Sequence, residues 1–393
     1  MRDKIKTILR ENVILENRIK MDMPIPDDIK TIASVFKKNS FKLFIVGGAV
    51  RDFLLNKKIK DFDLATDAVP DKVEEIMNDA GFRTLPTGKA FGVINVFTDQ
   101  GEYEIATFRE DLSGGRRPDA VSFTDIEGDV KRRDLTINAL FYDIDTKEIV
   151  DLVGGVEDLK KGIVRTVGAP EDRFGEDRLR ILRAIRFAGR FGNQLDPATD
   201  LALKKDASLE GISGERIRDE FIKGIVSAKS QKDFLQMLDK YGLFDWIFKG
   251  LDVDMGVVSR LGNYNHDDYI VLLARLLKKN NLDVLKKKLN ELKYTVEEIK
   301  AITFLIAMLK LDVDTAVILK KAEQNSGVTP EQIRDFCGKE NVPSQLLDAF
   351  EEFRLTVSGP EVMDKMNIKP GPEVGKAINK IETDNFKKLL GLT

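Results

Sequence analysis

The chain has 393 residues, 42% of them hydrophobic, which is enough for two or three packed domains. Its 63 Lys and Arg residues are balanced by 66 Asp and Glu, so the formal charge of -3 excludes a general attraction to nucleic acid and allows only local basic patches. One cysteine excludes an internal disulfide, and one histidine gives no basis for a zinc site. Any metal must therefore be held by carboxylates, the ligands of Mg²⁺ or Mn²⁺.

The N-terminal segment mixes both charges and lacks the apolar core of a signal peptide. Residues 1–22 are predicted to form a charged helical extension, separated by Pro24 and Pro26 from a helix over about 27–38. The longest apolar run, residues 301–309, is too short to span a bilayer. The sequence therefore predicts a cytoplasmic protein with no membrane partner, and it implies no protein partner.

Short β-type runs alternate with helices as far as about residue 155. The runs are 43–46, 62–65, 92–97, 103–108 and 140–143. From residue 156 onward, long stretches rich in Leu, Lys, Glu, Arg and Ala replace this alternation almost to the C-terminus. We therefore expect an α+β fold, in which an N-terminal head with a small mixed β-sheet and helices is followed by helical domains.

The first candidate site begins where the run LFIV enters Gly47 and Gly48. Glycines between a strand and a helix allow the backbone to approach a ligand and present its N–H groups to phosphate oxygens. Arg51, one helical turn later, is placed to pair with the same phosphates. A plain turn is the alternative for a glycine pair that occurs alone.

Asp61 and Asp63 follow, two residues apart in the next predicted strand, so both carboxylates project from one face. Two carboxylates with no histidine nearby suit hard cations, and we expect them to hold two Mg²⁺ ions over a triphosphate. Solvated charge at a strand edge is the alternative. The order of glycine pair, helix and paired aspartates favours a catalytic site.

Three motifs in this order resemble those of class II tRNA nucleotidyltransferases and bacterial poly(A) polymerases. They are GGAVRD with DFD, then RRDLTINA at 132–139, then EDRLRILRAIRF at 176–187. The resemblance extends more loosely through GISGERIRDEF and NIKPGPEVGKAI, and so covers nearly the whole chain after residue 23. It implies an enzyme that adds CCA to the 3′ end of tRNA from CTP and ATP.

The resemblance also implies an elongated series of domains. A catalytic head at 23–155 precedes a helical neck at 156–210 that selects the nucleotide, a helical body at 211–330 and a tRNA-binding helical tail at 331–393.

Base selection is predicted for the neck helix, where Asp177, Arg180, Arg183 and Arg186 recur at every third residue as a ridge. Cytosine and adenine both present an amino donor beside an unprotonated ring nitrogen, whereas uracil and guanine present a carbonyl beside a ring N–H. Asp177 can accept from the amino group while Arg180 donates to the ring nitrogen. The resemblance gives Arg183 and Arg186 a share in holding the nucleotide. A solvated arginine face is the alternative.

In RRDLTINA, Arg133 is a candidate for the triphosphate, and Asp134 or Asn138 for the ribose hydroxyls. A charged turn before a strand is the alternative. Glu104 is either a third carboxylate that serves the metals or the primer hydroxyl, or a solvent-facing residue of an alternating strand.

Residues 109–131 contain Gly-Gly and few apolar side chains, and are predicted to form a mobile loop. In the family this loop is needed to pass from adding C to adding A. Three alternatives remain open at this point: an enzyme that adds only A, a bacterial poly(A) polymerase, and an RNA-binding protein without catalysis.

Overall fold

The computed structural model describes residues 14–15, 18–111, 121–192, 194–262 and 267–392. The chain divides into two compact units. The first comprises Met1–Ile212 with Ser227–Lys229, and the second comprises Ser213–Val226 with Ser230–Thr393.

The first unit is built on a mixed β-sheet, which has nine strands within the described ranges. In chain order, the strands of the protein are β1 (Ile14–Leu15), β2 (Arg18–Lys20), β3 (Leu43–Val46), β4 (Asp63–Thr66), β5 (Arg83–Gly88), β6 (Val93–Phe97), β7 (Glu102–Thr107), β8 (Arg109–Asp111), β9 (Val121–Phe123), β10 (Phe141–Asp143), β11 (Glu148–Val150), β12 (Ile163–Val164) and β13 (Gln194–Leu195).

The large sheet has the order β1-β2-β11-β10-β3-β4-β7-β6-β5, and its pairs are antiparallel except for the parallel pair β4–β7. All four residues of β3 are buried, as expected for a central strand covered on both faces. On one face, the rings of Phe44, Phe108 and Phe141 pack with centroids 5.6 to 6.2 Å apart. This aromatic cluster supports the strand ends at which the candidate site begins.

Eight helices of the first unit pack against this sheet or follow it within the described residues. They are α1 (Asp27–Lys38), α2 (Gly48–Leu54), α3 (Pro70–Asp79), α4 (Ile126–Lys131), α5 (Gly155–Lys161), α6 (Pro170–Glu176), α7 (Leu179–Phe191) and α8 (Pro197–Lys205). Helix α7 is amphipathic, and its apolar stripe of Leu179, Leu182, Ile185 and Ala188 is buried.

The second unit is helical throughout its described part. Its helices are α9 (Gly214–Ser227), α10 (Gln231–Lys240), α11 (Phe244–Ile247), α12 (Met255–Arg260), α13 (Tyr269–Leu277), α14 (Leu282–Glu291), α15 (Val296–Ala307), α16 (Ala316–Glu323), α17 (Pro330–Lys339), α18 (Ser344–Glu352), α19 (Gly359–Met366) and α20 (Pro372–Leu389). Capping boxes at Thr295, Thr329 and Ser358 begin three of them. Among the described residues, no helix is both long and apolar enough to cross a membrane.

These observations confirm the α+β fold with a mixed sheet in the head and helices after it. The helix predicted for residues 1–22 is wrong at 14–15 and 18–20, which form β1 and β2. Ile19 is buried between exposed Arg18 and Lys20, a period of two that suits a strand, and β2 pairs with β11. The helical region also contains one short parallel pair, β12–β13.

Candidate active site

The glycine turn lies at the C-terminal end of β3. Gly47 has φ of 65°, a left-handed conformation that favours glycine, and it directly precedes α2. A Cβ atom on Gly47 would lie 3.4 Å from the Asn138 carbonyl oxygen and 3.5 Å from Nη1 of Arg133. The turn is therefore packed against the RRDLTINA segment, which brings the first two predicted motifs together.

Asp63 lies beside this turn because β3 and β4 are antiparallel, whereas Asp61 precedes β4, so the prediction that both aspartates lie in the strand is wrong for Asp61. Val46, the last residue of β3, pairs with Asp63, the first residue of β4. Asp63 is exposed at the beginning of β4, yet neighbouring protein atoms partly desolvate its carboxylate. This desolvation, with a smaller contribution from the charge of Asp61, raises the pKa of Asp63, and Arg133 opposes the shift.

Glu104 lies on the adjacent strand β7. The parallel pairing of Leu64 with Ile105 places Glu104 beside Asp63, on the same face of the sheet, and its side chain is exposed. Within the described ranges, no group of three or more His, Cys, Asp or Glu side chains is arranged to hold a metal. The ligands predicted from the sequence, Asp61 and Asp63, are a pair of carboxylates. Such a pair fits Mg²⁺, which is commonly bound by one or two carboxylates together with water and substrate phosphates.

Arg133 is held by a buried carboxylate that sequence reasoning missed. Asp129, 1% exposed, accepts hydrogen bonds from Nε and Nη2 of Arg133 at 3.1 and 2.9 Å and pairs with Arg132 at 2.6 Å. Burial alone would raise the pKa of Asp129, but the two guanidinium groups lower it, so the carboxylate stays ionised. Arg133 also lies over the Phe141 ring, with Cζ 4.6 Å from its centroid.

Asp134 and Asn138 form a hydrogen-bonded pair at the centre of the site. Asn138 donates to Asp134 at 3.2 Å, and Nε of Arg183 donates to the other Asp134 oxygen at 2.6 Å. Burial would raise the pKa of Asp134, but Arg183, Asn138 and the amide of Leu135 hold it below its ordinary value. This pair therefore connects the head to the neck helix α7.

The turn that carries Asn138 is supported from behind by α5. A Cβ atom on Gly155 would lie 2.2 Å from the Thr136 carbonyl oxygen, closer than any side chain allows. Glycine is required at this contact because the two backbones touch.

Arg51 lies inside the protein, with 6% of its surface exposed. Its Nη1 donates to Oδ1 of Asn138, and its Nε donates to Asp52 at 3.0 Å. Burial lowers the pKa of the Arg51 guanidinium, while Asp52 opposes that shift. The phosphate contact predicted for Arg51 would require part of this network to be exchanged.

The ridge predicted on the neck helix begins at Arg180 and not at Asp177. Asp177 precedes α7 in an extended conformation, and its carboxylate accepts a hydrogen bond from the amide of Leu179 at 3.1 Å. Its side chain thus caps the first backbone N–H of α7 from the residue before the N-cap position, Arg178, and a capping preference of aspartate could have been read from the sequence. Only Arg180, Arg183 and Arg186 of the four lie within the helix.

Arg180 projects toward the head from the first turn of α7. It donates to Glu176 at 2.6 Å and to the Arg132 carbonyl oxygen at 2.8 Å. The Arg180 guanidinium thus forms an ion pair with Glu176, four residues earlier. Arg186 is 8% exposed and lies over the Phe187 ring.

The loop predicted over residues 109–131 is wrong in much of its described part. Residues 109–111 and 121–123 form β8 and β9, which pair in antiparallel register, and residues 126–131 form α4. Residues 112–120, including the Gly-Gly pair, lie outside the described residues.

Comparisons with known proteins identify the family. Residues 43–165 match the poly(A) polymerase head domain, and residues 193–255 match the probable RNA- and SrmB-binding site of polymerase A. A CCA-adding enzyme of Ligilactobacillus salivarius is 32% identical over 383 residues, which cover 92% of this chain and 93% of the relative.

Solved structures agree. The CCA-adding enzyme of Bacillus stearothermophilus in complex with CTP has 28% identity and a TM-score of 0.71, covering 93% of this chain and 94% of that one. The Thermotoga maritima CCA-adding enzyme complexed with tRNA shares the fold, with 22% identity, a TM-score of 0.66 and coverage of 98% and 97%. The chain belongs to the family of CCA-adding enzymes and is a nucleotidyltransferase.

Proposed function

We propose that this chain adds C, C and A in succession to the 3′ end of tRNA, using CTP and ATP and releasing pyrophosphate. The observation that carries the proposal is the RRDLTINA segment, which contacts the glycine turn through Asn138 and the neck helix through Asp134. One segment thus contacts the predicted phosphate site and, through the Arg132 carbonyl, the proposed base donor Arg180. Its Arg133 also lies near enough to Asp63 to oppose the rise in the pKa of that carboxyl. The family relationship over more than nine-tenths of the chain supports the same activity.

Nucleotidyltransferases of this family typically use divalent metals, and we infer that Asp61 and Asp63 hold two Mg²⁺ ions here, with Mn²⁺ as a substitute. When bound, such ions lower the pKa of the attacking 3′-hydroxyl and neutralise the leaving pyrophosphate. The carboxylates supply the fixed ligands, and triphosphate oxygens and water supply the rest. Glu104, beside Asp63, is a candidate to accept the proton of the primer hydroxyl.

The glycine turn and the surrounding cations are assigned to the triphosphate. The Gly48 amide is assigned to phosphate oxygens, whereas the Gly47 amide already donates to the Leu140 carbonyl oxygen at 2.9 Å, so that Gly47 shapes the turn. Arg133 neutralises the phosphate charge with its guanidinium already oriented by Asp129. Asp134 or Asn138 recognises the ribose hydroxyls. Arg51 either joins the phosphates after exchanging its contacts or fixes Asn138 in place.

Base choice is assigned to the start of the neck helix. Asp177 accepts from the amino group of cytosine or adenine, and Arg180 donates to the adjacent ring nitrogen. Arg183 and Arg186 hold the nucleotide from the following turns. Glu176 and the Arg132 carbonyl restrict the Arg180 side chain, which favours discrimination because a fixed donor cannot adapt to uracil or guanine.

The further organisation follows the family. We assign the head to residues 23–155, the neck to 156–210, the body to 211–330 and the tRNA-binding tail to 331–393, and we place the protein in the cytoplasm, where tRNA is processed.

The test is single-nucleotide incorporation on three tRNA substrates, which end before CCA, after C and after CC. Each labelled NTP is supplied in turn, with Asp63→Asn as the inactive control. We expect CMP on the first two substrates and AMP on the third. Activity confined to the third substrate would indicate an enzyme that adds only A, and unlimited AMP addition would indicate a poly(A) polymerase. No incorporation on any substrate would overturn the proposal in favour of RNA binding alone.

A further inference from the structure

Two phenylalanine rings on the neck helix form a stacked pair. Phe187 and Phe191 are one turn apart on α7, with ring centroids 5.9 Å apart and planes inclined by 10°. Phe187 is buried, with 3% of its surface exposed. Core packing accounts for its burial, but the side chains that cover its ring are cationic rather than only apolar.

Five cations surround this pair of rings. The Cζ atoms of Arg186, Arg51 and Arg183 lie 4.2, 5.1 and 5.8 Å from the Phe187 centroid. Phe191 has Arg190 at 5.3 Å and Lys57 at 5.5 Å, and Arg51 again at 5.8 Å. Distances within about 6 Å are those at which the negative face of an aromatic ring attracts a cation.

The cations around these rings repel one another. Burial lowers the pKa of Lys57, and Arg190 and Arg51 lower it further, while Asp52 opposes the shift. Asp52 also accepts from Arg51 and Arg190, at 3.0 and 3.3 Å. Groups that attract cations, here Asp52 and the aromatic rings, must offset this repulsion. A polyanionic ligand would bind favourably to such a concentration of positive charge.

The ring face offers a specific way to hold an arginine. A guanidinium over an aromatic ring uses its planar face for the contact, and its N–H donors point outward in the plane. Those donors remain directed toward carboxylate or phosphate partners, as Nε of Arg183 is toward Asp134. An aliphatic side chain of similar size would fill the space without attracting the cations.

We propose that Phe187 is a positioning residue of the nucleotide site, whose ring holds Arg51, Arg183 and Arg186 in orientations that receive a nucleoside triphosphate. This inference rests on the proposed function, which assigns Arg183 and Arg186 to the nucleotide and Arg51 either to its phosphates or to Asn138. It predicts that nucleotide affinity depends on the electron density of the ring and not only on its volume.

The experiment replaces Phe187 with phenylalanines carrying one, two and three fluorine atoms, introduced by nonsense suppression. Fluorine withdraws electron density from the ring face and changes its volume little. We expect the Kd for CTP, measured in the presence of Mg²⁺ and without tRNA, to rise stepwise with the number of fluorine atoms, by about 3-fold to 30-fold over the series. The unfolding midpoint should stay near that of the unmodified protein.

Phe108 provides the matched control. It is also 3% exposed, and its ring contacts are with Phe44 and Phe141. The same fluorinated series at Phe108 should leave the Kd unchanged. A Kd that does not depend on fluorine content at Phe187, or an equal slope at Phe108, would overturn the inference.

The Kd for CTP and the transfer of nucleotides to tRNA are measured separately, so this inference and the proposed function can fail independently. If the unmodified chain transfers no nucleotide to any tRNA but the slope at Phe187 is present, the proposed function fails and the positioning role stands. If CCA is added normally and the slope is absent, only the positioning role fails.

Discussion

Asp177 combines a contact seen in the structure with a proposed contact to the base, and two substitutions can separate them. Its carboxylate accepts a hydrogen bond from the Leu179 amide at 3.1 Å and so caps the neck helix. Asp177→Ala removes both the cap and the base acceptor. Asp177→Asn keeps a cap, because asparagine is an equally good capping residue, but adds an amide donor beside the acceptor.

The two variants should therefore differ in stability but not in the direction of their effect on selectivity. Loss of a cap costs about 1 kcal/mol, which lowers the unfolding midpoint of a unit of this size by about 2–4 °C in Asp177→Ala and leaves Asp177→Asn near wild type. A contact to a base edge contributes about 1–3 kcal/mol to discrimination. Both variants should then lose about tenfold to a hundredfold in preference for CTP over UTP, and asparagine should accept UTP more readily because its amide can donate to the uracil carbonyl.

The assay is kcat/KM for all four NTPs on a tRNA that lacks CCA and on one that ends in CC, together with thermal unfolding of each variant. Arg180→Ala serves as the partner variant, since it removes the proposed donor to the ring nitrogen. If Asp177→Asn leaves the ratios among the four nucleotides unchanged, the residue is only a helix cap and base selection lies elsewhere.

Four further outcomes are expected. Asp61→Ala and Asp63→Ala should abolish nucleotide addition and change the affinity for tRNA in a filter assay by no more than about twofold, since affinity for the RNA backbone comes from Lys and Arg. Wild-type turnover in both variants would contradict the proposed metal site. Because the pKa of Asp63 is raised above its ordinary value, protons compete with the metal at a higher pH than for an ordinary aspartate, so the half-saturating Mg²⁺ concentration should increase as the pH is lowered, and a constant value would contradict this. Shortening residues 113–123 should spare CMP addition and suppress the final AMP, measured on tRNA ending in CC; equal loss of both would make the loop a general part of the site. Finally, the affinity for tRNA should fall steeply with salt, and a flat titration would exclude a basic contact face.

The sequence predicted the order of the elements better than their pairing. Five strands of the head were anticipated, but the edge strand β5 reads RTLPTG, in which Pro86 and Gly88 resemble a loop. An edge strand tolerates proline because one side of its backbone has no hydrogen-bonding partner. Whether a strand lies at the edge of a sheet is decided by the tertiary structure. For the same reason β1 and β2 were missed, since their strand character comes from tertiary pairing, of β2 with β11 and of β1 with β2.

At the site, the motifs identified residues whose partners only the fold reveals. Arg51 was assigned to phosphate by its spacing from the glycine turn, but the sequence could not show that it is buried against Asn138 and Asp52. Asp129 was missed because it lies in a segment that was interpreted as a loop, although a carboxylate four residues before Arg133 is a recognisable helical ion pair. The four-residue spacing was therefore sufficient to predict the ion pair between Asp129 and Arg133. The burial of Asp129 depends on the tertiary fold and could not be predicted from the sequence.

The contact between Gly155 and the Thr136 carbonyl also has a consequence for recognising relatives of this protein. The constraint at Gly155 is steric and independent of catalysis, whereas Asp61 and Asp63 matter only to an enzyme that uses metals. A descendant that lost its activity but kept the fold would be free to change the aspartates long before the glycine. A chain with glycine at this position and other residues at the two aspartates should therefore be classified as an inactive member of the family rather than as a different fold.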